Sequence, residues 1–109
     1  MFHLLVSGLI AYLLVPACPP VQAPVTGQVL RSFAPVGAYA GHWGVDLAAP
    51  LGTPVEAVAG GTVTFAAAIA GRLSVTVHHG GGIRTSYSYL SAIRVADGAT
   101  VSAGTVLGL

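Results

Sequence analysis

Three features of the sequence predict an all-β, mostly antiparallel fold. Arg72 to His79, RLSVTVHH, alternates apolar Leu73, Val75 and Val77 with polar Ser74, Thr76 and His78, the period of two expected of a half-buried strand. Glycine pairs and triplets punctuate short runs rich in β-branched residues. Beyond the first two dozen residues no apolar stripe of helical spacing appears.

The elements follow in order. GQVLRSF, residues 27–33, reads as a strand. PVEAV and GTVTFAAA read as strands flanking a turn at Gly60-Gly61. RLSVTVHH and GIRTSYSYL form a hairpin about Gly80-Gly81-Gly82. On that phase His78 shares the polar face with Ser74 and Thr76, and His79 falls with the apolar set. A turn at Asp97-Gly98 leads to a last strand over 105–109.

Ahead of this domain, Leu4 to Val15 is an apolar run of twelve residues ended by Pro16, too short for the roughly 20 residues that span a bilayer. It fits the hydrophobic helix of a secretory leader over residues 1–23, although Met1, Phe2 and His3 supply no Lys or Arg. Cys18 after VPA suits a lipoprotein site and VQA ending at Ala23 an ordinary cleavage site; an uncleaved anchor is the third option. The expected location is secreted or cell-envelope associated, with membrane contact only through the leader or a lipid on Cys18. The single cysteine closes no internal disulfide.

Charged residues make up 6% of the 109 residues, and the basic ones are four scattered arginines. No basic stripe forms, so nucleic acid is excluded as a partner. The acidic residues number three and the histidines four, which makes His42 and Asp46, four positions apart in GHWGVDLAAPLGTPV, worth testing as a metal pair. On a straight strand their Cα atoms would lie about 13 Å apart at roughly 3.3 Å per residue, too far to share an ion. A helix is disfavoured by Gly44, Val45 and Pro50. A metal reading therefore demands a bend between them, and Gly41 and Gly44 are where a chain bends at least steric cost. On spacing alone, the other reading of the pair is a loop histidine and a turn-capping aspartate.

The run GHWGVDLAAPLGTPVEAVAGGTVTFAA, continued through VTVHHGGGIRTSYSYLS to V-x-x-G-x-x-x-G at Val101 to Gly108, resembles the lysostaphin-type, LytM-like peptidoglycan endopeptidases, in the manner of their short secreted actinobacterial members. The likeness covers about residues 27–109. It implies the family's antiparallel sheet, of the duplicated hybrid motif type, over 24–109. It implies His42 and Asp46 as the first two ligands of a zinc ion, a groove that accepts a peptide cross-link of peptidoglycan, and a monomer. Zinc would polarise the scissile carbonyl and activate a water.

Two departures modify that expectation. Where the family's hairpin ends Y-x-H-L, this sequence has Tyr87-Ser88-Tyr89-Leu90. Tyr89 thus stands in a catalytic histidine's place, where its phenol can donate a hydrogen bond to an oxyanion or simply pack on the sheet. The family's third zinc ligand lies beyond V-x-x-G-x-x-x-G, and the sequence ends at Leu109. The expectation is a C-terminally incomplete domain with an incomplete zinc site, weakly active or inactive, or a non-catalytic wall-binding or regulatory member. Trp43 either lines a groove beside the metal or, as expected, packs over the bend, Glu56 points to solvent, and Arg84 is a surface residue that could meet an acidic polymer. The strand, glycine turn and strand of EAVAGGTVTFA also resemble biotinyl and lipoyl carriers, but those attach their cofactor to lysine and this chain has none.

Overall fold

A four-stranded antiparallel sheet, ordered Ile83–Leu90, Arg72–Gly80, Gly61–Ile69 and Thr100–Val101 across its width, organises the domain. Its strands are β6 (Gly61–Ile69), β7 (Arg72–Gly80), β8 (Ile83–Leu90) and β9 (Thr100–Val101). The computed structural model describes residues 21–109; Cys18 and nearly all of the expected leader lie outside them. Among the described residues there is no helix, and so none long and apolar enough to cross a membrane.

Two hairpins build the sheet. Ile69 pairs with Arg72 across Ala70 and Gly71, and Gly80 pairs with Ile83 across Gly81 and Gly82. Both two-residue loops have positive φ at both central positions, at +51° and +77° and at +61° and +77°. This is the mirror-image turn whose twist matches that of paired strands. Glycine adopts it freely at Gly81 and Gly82. Ala70 does so against its Cβ, at a cost of about 1–2 kcal/mol.

The inward face of the hairpins supplies the core. Val63, Val75, Val77 and Leu107 have no exposed surface, and Ala57, Tyr87, Leu90 and Val101 close around them. Leu107 comes from β10 (Val106–Gly108), which pairs antiparallel with β5 (Val55–Glu56) and covers the sheet. The Gly60-Gly61 pair is therefore not a hairpin turn: Gly61 opens β6 opposite Val101, and β5 finds its partner at the far end of the sequence. Pairing with β10 also leaves Glu56 half-buried rather than directed to solvent.

The alternation in β7 holds for Val75 and Val77 but not for Ser74, which is buried. The reason is an irregularity in its neighbour. Leu73 pairs with Leu90 and Val75 with Tyr87, so β8 carries one extra residue across from Ser74. The Ser74 hydroxyl donates to the Tyr87 carbonyl at 3.2 Å and lies 2.7 Å from the Ser88 hydroxyl, which satisfies it out of water.

Before the sheet come four short strands, β1 (Val29–Arg31), β2 (Ala34–Val36), β3 (Ala40–His42) and β4 (Asp46–Leu47). β1 pairs with β4 and β2 with β3, all antiparallel. No residue in them is buried.

Candidate metal centre

β3 ends at His42 and β4 begins at Asp46, with a bend at Gly44 between them. The chain turns sharply enough that His42 Nε2 lies 3.1 Å from Asp46 Oδ1. The bend demanded by the spacing is present, but the glycines divide the work differently from expectation. Gly44 has open space where a Cβ would stand, whereas a Cβ on Gly41, at φ +82°, would lie 2.3 Å from the Ala34 carbonyl oxygen. Gly41 lets β3 close on β2, and that closure fixes the direction in which His42 leaves the strand.

The imidazole is held from behind. His42 Nδ1–H donates to the Ser32 carbonyl at 2.8 Å, since a carbonyl can only accept. Phe33 next to Ser32 meets Trp43 next to His42 edge to face, with centroids 6.2 Å apart, and the Trp43 indole N–H donates to the Ala40 carbonyl at 2.9 Å. Trp43 therefore braces the bend, as its sequence position suggested, and does not line the groove described below.

With Nδ1 protonated, a neutral imidazole turns the Nε2 lone pair toward a carboxylate oxygen, and two acceptors at that distance need a positive centre between them. A second proton on the ring supplies one, and a cation bound by both atoms is the other. Two ligands at about 2.1 Å from a tetrahedral zinc are separated by about 3.4 Å, close to the spacing found. Nδ1–H donated to a backbone carbonyl is also the arrangement that fixes the tautomer of a metal-binding histidine. The side chain of His42 is 16% exposed and that of Asp46 51%, so as a bare ion pair they contribute little to stability. The residues fit a zinc ion as two of its ligands.

No third donor joins them: among the described residues no group of three His, Cys, Asp or Glu side chains converges. His79 has both ring nitrogens engaged, Nδ1–H donating to the Gly60 carbonyl and Nε2 accepting from Thr85, each at 2.7 Å. Thr85 and the Tyr87 hydroxyl are 2.8 Å apart, and the latter accepts from the Val58 amide at 3.0 Å. His79 thus belongs to a network tying the hairpin to the β5–β6 connection. His78 lies between Thr62 and Arg84 on the neighbouring strands.

Asp46 borders an open groove of about 620 Å³ whose lining also includes Leu51, Ser86, Ser88 and Tyr89. Tyr89 is the extra residue of β8. It has φ +65°, is 75% exposed, and has the Arg72 guanidinium carbon 4.6 Å from its ring centroid. The sequence marked Tyr89 by family position, but the bulge that turns it toward the groove was not visible there, because nothing in YSYL distinguishes a bulged strand from a regular one. Arg72, read as a scattered surface charge, is part of the same feature.

Comparison with known proteins bears on this geometry. Residues 40–109 match the model of Peptidase family M23. An uncharacterized Mycobacterium tuberculosis protein is 52% identical over 68 residues, which are 62% of this chain and 27% of that protein. The DD-carboxypeptidase/endopeptidase Mpg of Neisseria meningitidis is 44% identical over 68 residues, 62% of this chain and 16% of Mpg. The chain thus spans about a quarter or less of the length of these relatives. A crystal structure of a Pseudomonas aeruginosa protein assigned to peptidase M23 superposes with a TM-score of 0.69 at 32% identity, over 97% of this chain and 46% of that one. A matched family model over most of the chain and a shared sheet architecture agree with the resemblance carried by the segment from His42 to Asp46: the chain belongs to peptidase family M23.

Proposed function

We propose that the domain contributes to a zinc-dependent peptidase acting on the peptide cross-links of peptidoglycan outside the cytoplasm, with His42 and Asp46 as two of the metal's ligands. The observation that carries this reading is the pair itself, an imidazole locked through Nδ1 onto the Ser32 carbonyl with Nε2 facing a carboxylate oxygen at 3.1 Å. Zinc bound there would supply Lewis acidity toward a carbonyl and an activated water. His42 Nε2 and Asp46 Oδ1 would hold it, and Ser32 keeps the imidazole in the tautomer that leaves Nε2 free. The groove receives the peptide, and Tyr89, exposed along it, donates its phenolic proton as a hydrogen bond to the developing oxyanion.

Two protein ligands make half of a catalytic site, which ordinarily has three and an open position. The 109-residue chain on its own accordingly binds zinc weakly and hydrolyses peptidoglycan slowly or not at all. The alternative is a non-catalytic member that binds wall peptides or regulates another hydrolase. Calorimetric titration of zinc into the chain separates the possibilities. The expected dissociation constant is weaker than about 1 μM, and His42→Ala and Asp46→Ala each abolish the binding. Affinity of 1 μM or tighter that survives His42→Ala would overturn the assignment. Release of soluble peptide from purified peptidoglycan at a rate lowered by His42→Ala would rule out the non-catalytic alternative.

A further inference from the structure

The strained turn of β8 and the arginine beside it form a feature that the metal reading does not use. Tyr89 is one of two non-glycine residues with positive φ among the described residues. The other, Ala70, sits in a hairpin loop whose geometry requires it, but Tyr89 lies inside a strand, next to the end of the hairpin. A left-handed backbone costs an ordinary residue about 1–2 kcal/mol. An exposed cation–π contact returns about 0.5–1 kcal/mol, so the Arg72 contact does not by itself explain the strain. Bulges that re-aim a side chain cluster at working sites, and this one turns a tyrosine into the lining of the groove that Asp46 borders.

Arg72 is equally specific in what it lacks. It is exposed at the start of β7, and among the described residues the only ion pair is His42 with Asp46. No Asp or Glu occurs in residues 1–20 either. The Arg72 guanidinium carbon lies 4.6 Å from the Tyr89 ring centroid, and its N–H donors, engaged in no ion pair among the described residues, form the fork that matches a carboxylate.

We propose that Arg72, which lies outside the groove's lining but contacts the lining residue Tyr89, is a carboxylate-binding subsite flanking the groove, and that it selects peptides bearing a free carboxylate. The inference rests on reading the groove as a peptide site, but not on the metal. Tyr89 acts as the platform through its ring, which leaves its hydroxyl available for the hydrogen bond assigned to it above. The carboxylate can be the C-terminus of a peptide or an acidic side chain within it.

The test measures binding of acetylated alanyl-glutamyl-lysyl-D-alanyl-D-alanine to the whole chain by NMR titration. Its C-terminal amide, a version with glutamine for glutamate, and a version with both changes are compared with it. Neutralising both carboxylates weakens binding about tenfold, as loss of one charge-assisted contact does, and the singly neutral peptides show which carboxylate is gripped. Raising the salt narrows the difference. Arg72→Gln abolishes it; Tyr89→Phe, which keeps the ring, preserves it; Tyr89→Gly, which relieves the strain and removes the platform, reduces it. Equal binding of the charged and doubly neutral peptides, no measurable binding of any at millimolar concentration, or a preference that persists in Arg72→Gln overturns the proposal. The preference is expected to persist in His42→Ala. A zinc titration that fails while the preference stands therefore refutes the metal assignment alone, and zinc binding abolished by His42→Ala without the preference refutes this subsite alone.

Discussion

The four-stranded sheet and the arm that precedes it, both β structure, are held by different forces. In the sheet, Val63, Val75, Val77 and Leu107 are fully enclosed and the hairpins pair over eight or nine residues a strand. In β1 to β4 the strands are two or three residues long and no residue is buried. Leu30, Phe33, Val36, Tyr39 and Trp43 there are all more than half exposed. The candidate metal ligands lie on the arm, whereas Tyr89 and Arg72 belong to the sheet. The groove joins a wall set by packing to a wall set by turns and backbone hydrogen bonds. A site built this way gains order from what binds it, since elements with few buried contacts open at the low end of the stability range.

Leu107→Ala breaks the comparison from the packed side and has the largest expected effect. It empties a fully enclosed position and should destabilise the domain by about 2–5 kcal/mol, read as a fall in the denaturation midpoint. Zinc affinity, referred to the folded fraction, should change little. Gly41→Ala breaks it from the other side. The new Cβ meets the Ala34 carbonyl and the Val36 amide nitrogen at 2.3 and 2.6 Å, and the left-handed backbone adds about 1–2 kcal/mol. The cost should appear as faster amide exchange confined to β2 and β3 and as loss of zinc binding, with the midpoint of the sheet nearly unmoved. A uniform loss of protection across β6 to β8 would show that the arm and sheet unfold as one. Ala70→Gly sharpens the contrast with the smallest effect, a gain of up to about 1 kcal/mol from relieving φ +51° in the β6–β7 turn. That gain should raise the midpoint without changing exchange in the arm.

Much of the sheet was legible because its signals are local. Val75 and Val77 at alternate positions, and three glycines before Ile83, specify a strand and a tight hairpin without reference to the rest of the chain. The necessity of a bend between His42 and Asp46 was legible too, because strand spacing alone forbids them to meet otherwise. The role of Gly41 was not, since its conflict is with Ala34 and Val36 on a paired strand. Ser74 was assigned to a solvated face because alternation carries no information about an extra residue in the neighbouring strand.

By itself the sequence determined the all-β class, the main hairpin, the family, and His42 and Asp46 as a candidate metal pair. These depend on periodicity, turn chemistry and motif, which are properties of neighbouring residues. Tertiary structure decided that β5 pairs with β10 rather than β6, that Ser32 locks the His42 tautomer, that His79 is occupied by a structural network, and that a bulge sets Tyr89 in the groove's lining with Arg72 against its ring. Each of those depends on contacts between residues distant in sequence, where the geometry of one strand fixes what another can do.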